Sequence, residues 1–184
     1  MLPCVGWVAY DFSSMALSNV TLQAATARDL PVIRRLAYDI WWPTYGSYLV
    51  HDQISLMLEL IYSEEALQAQ LEAGQQFSLA MRGDVTVGFV GYQPKHGKAQ
   101  TMRIEKLYVI PSEQGKGTGK LLIDYVTQTA LADGYSCLEL NVNRRNAAAR
   151  FYDRQGFVII DTVDIPYHGY VLNDYVMQKE LARE

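Results

Sequence analysis

One run constrains this chain more tightly than any other: Glu113-Gln114-Gly115-Lys116-Gly117-Thr118-Gly119-Lys120. Before it, residues 104–110 read as a strand, and after it Leu121, Leu122 and Ile123 open an apolar helical pattern. In a strand, glycine-rich turn and helix, the glycines let the backbone approach a ligand closely and the first helical turn leaves N–H groups without internal acceptors. Together with the positive end of the helix dipole, those donors suit a pyrophosphate. Spacing decides which phosphate loop this is. A P-loop needs Gly, four residues, then Gly-Lys-Ser/Thr, but Gln114 stands in place of the first Gly and Leu121 in place of the hydroxyl. The dinucleotide pattern Gly-x-Gly-x-x-Gly fails at Lys120, where Gly115 and Gly117 would require a third glycine. The pattern that remains is Gln-x-x-Gly-x-Gly, at Gln114, Gly117 and Gly119.

The rest of the chain bounds what this loop belongs to. With 184 residues, 49% of them hydrophobic and 20% charged, one globular domain with a sizeable core is expected. A net charge of -4 argues against a nucleic-acid partner. No run is long enough to span a membrane. Residues 1–19 read as an N-terminal extension and 20–184 as the domain. The extension is apolar from Leu2 to Tyr10 but carries no Lys or Arg before Arg28, so it lacks the basic start of a secretory signal. Met15 is an alternative start, and a cytoplasmic location is the default. Cys4 and Cys137 have no metal or redox spacing, and His51, His96 and His168 lie in unrelated segments, so no metal site is expected.

Periodicity gives the element order. Residues 20–24 read as a strand, and Thr26-Ala27-Arg28-Asp29 as a capping box opening a helix that runs to about Trp41, where Trp42-Pro43 breaks it. Two further helices follow, one carrying Ile54, Met57, Leu58 and Ile61, the other running from Ser63 to Gly74. Gly83-Asp84 joins strands 76–82 and 85–92 in a hairpin, and 100–110 is the strand that meets the glycine-rich loop. Beyond the loop come a helix ending at Gly134, a strand over 136–142, a helix over 143–155 stopped by Gly156, and strands beginning at Phe157 and Val171.

That order, with the loop, resembles the GNAT superfamily of N-acetyltransferases, whose acetyl-CoA loop is Gln/Arg-x-x-Gly-x-Gly/Ala. A second segment supports it: Asn143 to Phe157 is similar to the family's Asn-x-x-Ala-x-x-Phe-Tyr-x-x-x-Gly-Phe, with Phe151, Tyr152, Gly156 and Phe157 at its spacing and Asn146 one residue nearer to Phe151 than the pattern's Asn. The resemblance covers about 20–181. It implies an α/β fold: a mostly antiparallel central sheet flanked by helices, with strands 4 and 5 splayed apart. It also implies an enzyme that moves the acetyl group of acetyl-CoA to an amine without a metal.

Residue by residue, the resemblance implies that backbone amides of Gln114, Gly115, Lys116, Gly117, Thr118, Gly119 and Lys120 bind the pyrophosphate. Lys116 and Lys120 either add charge there or form a solvated loop face. Leu107, Tyr108 and Val109 match the strand that pairs with the pantetheine arm, and an N–H near Val109 would polarise the thioester carbonyl. Asn146 either contacts the cofactor or caps its helix. Tyr152 matches the family tyrosine that protonates the departing thiolate; its other reading is a buried ring beside Phe151. Where some relatives carry a Glu base, this chain has Arg103, and Glu105 stands two residues on, either as a substitute base or paired with Arg103.

The acceptor is expected among the early helices and the last hairpin. Trp41, Trp42, Tyr45 and Tyr48 either wall its pocket, with cation–π contact to an ammonium, or form an aromatic core. His168, in the last loop, is a further candidate. This Trp-rich loop and the terminal stretch Asp174 to Leu181 are similar to polyamine acetyltransferase relatives. A polyamine-like or amino-acid-like small amine is the leading acceptor; a protein or peptide amine, or a noncatalytic acyl-CoA-binding module, are the alternatives. Homodimers are frequent in the family.

Overall fold

Polar residues alternate with Val, Leu, Ile and Phe along seven short segments, and these pair into one sheet. The computed structural model describes residues 19–182; the predicted extension, Asn19 apart, lies outside them, with Cys4 and Met15. In chain order the elements are β1 (Val20–Ala24), α1 (Leu30–Tyr45), α2 (His51–Tyr62), α3 (Glu64–Glu72), β2 (Gln76–Arg82), β3 (Val85–Pro94), β4 (Thr101–Val109), α4 (Thr118–Ala132), β5 (Cys137–Asn143), α5 (Ala148–Arg154), β6 (Val158–Tyr167) and β7 (Tyr170–Glu180). The sheet order is β1-β2-β3-β4-β5-β7-β6. Every pairing is antiparallel except β4 with β5, which α4 joins as a crossover. This is the mixed α/β architecture expected.

Two apolar layers hold the sheet. On one face α4 and its neighbours bury Leu122, Ile123 and Val126 against Val90, Ile104, Leu138 and Leu140. On the other, α1, α2 and α3 bury Ile33, Ile40, Ile54, Leu58 and Leu67 against Leu79 and Phe89. The stripe Ile33, Leu36, Ala37, Ile40 continues through Trp41, so burial carries α1 past the break expected at Trp42-Pro43. Pro43 lacks the N–H that would reach the Asp39 carbonyl. Both Asp39 and Pro43 lie on the exposed side, where water can satisfy that carbonyl. At the other end of the chain the expected helix over 143–155 is shorter. Asn143 Oδ1 accepts the Arg145 N–H at 3.0 Å and Asn146 Oδ1 the Ala148 N–H at 2.9 Å, so α5 starts only at Ala148. Asn side chains that satisfy nearby backbone donors compete with helix in this way.

The feature that positions a site is the β4–β5 pairing. It runs only from Thr101↔Cys137 to Ile104↔Leu140. Beyond it β4 stays with β3 to Val109, while β5 stays with β7 to Asn143. The two strands therefore diverge as a V, and the backbone groups facing into it have no ladder partner.

Candidate active site

The V opens into a cavity of about 1030 Å³. Its walls are the end of β4, the glycine-rich loop, the end of β5, the start of α5 and the C-terminal turn of α1.

The loop reaches the cavity through Gln114, Gly115, Gly117, Gly119 and Lys120. Gly115 and Gly117 adopt φ of 78° and 89°, a left-handed backbone that glycine takes without strain, and Gly117 is the N-cap of α4. The first helical bond runs from the Leu121 N–H to the Gly117 carbonyl. Among the described residues, no acceptor meets the N–H groups of Gly115, Gly117, Thr118, Gly119 and Lys120. These donors fit a pyrophosphate at the positive end of a 15-residue helix.

Glu113 holds the loop in place. It is 5% exposed and takes Arg82 Nε at 3.1 Å and Nη2 at 2.6 Å, with Lys116 Nζ at 3.1 Å and Thr118 Oγ1 at 3.5 Å. The Arg82 hydrogen bonds keep its carboxyl below the usual range. Thr118 is fully buried on this anchor, so only its backbone is left for a ligand. Lys116 and Lys120 each ion-pair within the loop–helix unit, Lys116 with Glu113 and Lys120 with Asp124. Gly119 has a further reason to be glycine: a Cβ there would approach Phe151 Cζ to 3.1 Å. The two sequence motifs thus pack directly on each other.

Tyr152 projects from α5 into the same cavity and is 8% exposed. Its ring lies 5.3 Å from Phe151 and 5.8 Å from Phe157. Burial alone pushes its phenol above the ordinary value, and no hydrogen bond among the described residues engages the hydroxyl. Asn146 also lines the cavity while capping Ala148, so both of its readings are compatible with its placement. The Ile110 N–H donates to the Val87 carbonyl across to β3 at 3.0 Å. Successive strand residues point opposite ways, so the Val109 N–H and C=O face into the V. Leu107 and Tyr108 line the same wall.

A bulge shapes β4 just above. Gly91 faces Lys106 but Tyr92 faces Ile104, so Glu105 is an extra residue. The bulge reverses the alternation beyond it. Met102 and Ile104 join the core under α4, while Tyr108 joins the cluster under α1–α3. Glu105 accepts from Gln93 Nε2 at 2.9 Å and Arg103 Nε at 3.2 Å, so both its oxygens are engaged. Arg103 also reaches the fully buried Glu139, which Lys95 and Lys98 share. Lys106 turns to the cavity with Tyr62 and Tyr108.

Of the acceptor candidates, Trp41, Tyr45 and Tyr48 line the cavity, and Trp42 and His168 do not. Trp41 is also core, its ring 4.6 Å from Tyr45 and 5.5 Å from Tyr62. Tyr45 and Tyr108 hydroxyls are 3.2 Å apart, and burial, the largest cause for each, drives both phenols well above their usual value. Trp42 stacks on His51 at 4.7 Å, and His168 sits in the β6–β7 turn against Tyr167. Sequence reasoning missed Lys106, Asn141 and Asp174, which all line the cavity. The Asn141 Oδ1 and Tyr48 Oη are buried with no hydrogen-bond partner among the described residues. Burial raises the Asp174 carboxyl above the usual range, against the influence of Asn141, Arg103 and Arg144. Burial likewise pushes the Tyr48 phenol up to about 12. The alternation Glu139, Asn141, Asn143 in an otherwise apolar strand was a readable signal for Asn141; for Lys106 the bulge concealed it.

A seven-stranded sheet with this V, this loop and this tyrosine defines a class. The chain belongs to the GNAT acetyltransferase family: residues 50–179 match its acetyltransferase (GNAT) domain. An uncharacterised N-acetyltransferase of Mycobacterium tuberculosis is 36% identical over 87 residues, 47% of this chain and 56% of that protein, so the match spans little more than half of that relative. The probable N-acetyltransferase san of Drosophila melanogaster is 28% identical over 133 residues, 70% of this chain and 72% of that protein. Among solved structures, the PaiA N-acetyltransferase of Thermoplasma acidophilum in complex with coenzyme A has a TM-score of 0.76 at 22% identity, covering 88% of this chain and 98% of that one. That likeness is one of fold. No helix of the described residues is long and apolar enough to cross a membrane.

Proposed function

We propose that this chain is an N-acetyltransferase that moves an acetyl group from acetyl-CoA to the primary amine of a small molecule, polyamine-like or amino-acid-like, by direct attack in a ternary complex. One observation carries the reading: N–H donors of the loop without acceptors, the stretch of β4 without a strand partner and the Tyr152 phenol without a hydrogen bond, each among the described residues, all open into one cavity. Acetyl-CoA, when bound, supplies the acyl group as a thioester.

The N–H groups of Gly115, Gly117, Thr118, Gly119 and Lys120 bind the pyrophosphate, with the α4 dipole behind them, whereas the Gln114 and Lys116 N–H groups are held by the Pro111 and Glu113 carbonyls. The free edge of Leu107, Tyr108 and Val109 pairs with the pantetheine arm, and the inward Val109 N–H donates to the acyl oxygen. Asn146 orients the arm through its remaining amide donors. The Tyr152 phenol, kept protonated by burial, gives its proton to the departing sulfur as general acid. On the opposite arm of the V, Asn141 Oδ1, Tyr48 Oη and the Asp174 carboxylate offer oxygen acceptors to an incoming ammonium, which loses one proton to water before the neutral amine attacks. As the C–N bond forms and the C–S bond breaks, the second amine proton also leaves to water while Tyr152 protonates the sulfur. Trp41 and Tyr45 wall that side.

A noncatalytic acyl-CoA-binding module is the second reading, favoured by the engagement of both Glu105 oxygens, which leaves no free base at that position. A CoA-release screen over polyamines, amino acids, aminoglycosides and peptides separates them. The transferase reading expects acceptor-dependent release of CoA. Tight acetyl-CoA binding with no release across the panel would assign the module, and release with peptides alone would move the acceptor to a protein or peptide amine.

A further inference from the structure

Lys106 is the buried charge that the transfer chemistry leaves unused. It is 8% exposed, lines the cavity, and its side chain forms no ion pair or hydrogen bond among the described residues. Its Nζ lies 5.7 Å from the Tyr62 ring centroid and 5.9 Å from that of Phe77. Aromatic faces offset part of the cost of burying an ammonium, but they leave its three N–H bonds without acceptors. The nearest carboxylate in sequence, Glu105, is already shared by Arg103 and Gln93 and acts on Lys106 only through space. Burial lowers the Lys106 pKa to about 8 as a consequence. Buried cations are normally paired, and this one lies over the Tyr62 ring on a residue that lines the cavity.

We propose that Lys106 binds a carboxylate of the acceptor, which makes the preferred substrate an amino acid rather than a polyamine; this rests on the transferase reading above. The placement supports it. Lys106 hangs from the β4 arm of the V, beyond the last β4–β5 pair at Ile104↔Leu140, whereas Asn141 and Asp174 lie on the β5–β7 arm. An acceptor spanning the mouth meets oxygen acceptors on one side and an ammonium on the other, the polarity of a zwitterion. A phosphate in place of the carboxylate is disfavoured. It would bring a second negative charge to a single ammonium flanked by Glu105, in a cavity that also holds Asp174.

The test compares L-amino acids with their α-carboxamides, which lack the anionic group and have a less basic amine in wild type and variants alike, in acetyl-CoA-dependent CoA release by the full chain. Wild type is expected to favour the carboxylate by about tenfold to a hundredfold in kcat/KM, the range of a charge-assisted hydrogen bond in a buried site. Lys106→Met keeps the aliphatic length and should collapse that ratio towards one, and Lys106→Arg should restore part of it. An unchanged ratio in Lys106→Met, or no carboxylate preference in wild type, overturns the assignment. So does an equal loss with both acceptors, accompanied by loss of an ionisation near pH 8, which would make Lys106 a base. If neither acceptor releases CoA, the transferase reading fails. Calorimetric binding of N-acetyl amino acids against their amides, on wild-type protein loaded with CoA, then still decides Lys106: equal affinities overturn it.

Discussion

Tyr152→Phe isolates the chemistry of the site from its packing. The substitution keeps the ring against Phe151 and Phe157 and removes one oxygen that has no hydrogen-bond partner among the described residues. A typical intramolecular hydrogen bond contributes about 1 kcal/mol, and none is lost here, so stability should change by less than about 0.5 kcal/mol. Loss of a general acid, in contrast, slows the step by about 10²–10⁴-fold, or roughly 3–5 kcal/mol of barrier. Tyr152→Ala could not make this distinction, since emptying a nearly buried aromatic site costs about 3–5 kcal/mol in folding. The assay is single-turnover acetyl transfer at saturating acetyl-CoA, paired with urea unfolding. The pH sign follows from burial: a phenol raised above about 10 keeps its proton throughout the working range, so the acid contributes no alkaline fall in rate below that pH. Wild-type turnover in Tyr152→Phe would remove the acid role, and a rate loss matched by an equal loss of stability would make the tyrosine a packing residue.

Two further outcomes follow from contacts around the site. Gly119→Ala should destabilise by pressing on Phe151, 3.1 Å from the added Cβ, and Phe151→Leu should relieve it; a double-mutant cycle with coupling of about 0.5–3 kcal/mol is expected, and additive effects would refute the contact. Glu139 is fully buried; burial raises its pKa, but the hydrogen bonds from Lys95 and Lys98 outweigh this and leave it lowered. A lowered folded value means that its contribution is present above the unfolded value of about 4.3 and is lost as pH falls through the folded value. Glu139→Gln should therefore cost about 3 kcal/mol at pH 7, where three cations lose their shared partner, and flatten the acid limb of stability below about pH 4.5; an acid limb as steep as wild type would count against it.

The readable parts of this protein are those encoded by neighbours in the chain. Spacing in the loop excluded two other phosphate sites because each depends on single positions, Gln114 and Leu121 for one and Lys120 for the other. Apolar periodicity located the strands and helices, and glycines marked their stops, as at Gly134 and Gly156 with φ of 84° and 86°. Misreadings came where side chains act on backbone out of pattern. Pro43 did not end α1 because burial of Trp41 continued it, and Asn143 and Asn146 delayed α5.

What the sequence by itself determined was the kind of ligand loop, the order of elements and the family pattern, all set by local spacing. Tertiary structure decided the acceptor side. The bulge at Glu105 reversed the facing of every β4 residue after it, and a two-residue period cannot announce such a reversal. It turned Lys106 to the cavity and left Glu105 bound to Arg103 and Gln93. Asn141 and Asp174 meet Tyr48 there only because β5 pairs with β7 and parts from β4. Pairing between strands distant in sequence is a property of the whole sheet, and the chemistry that chooses an acceptor is assembled from it.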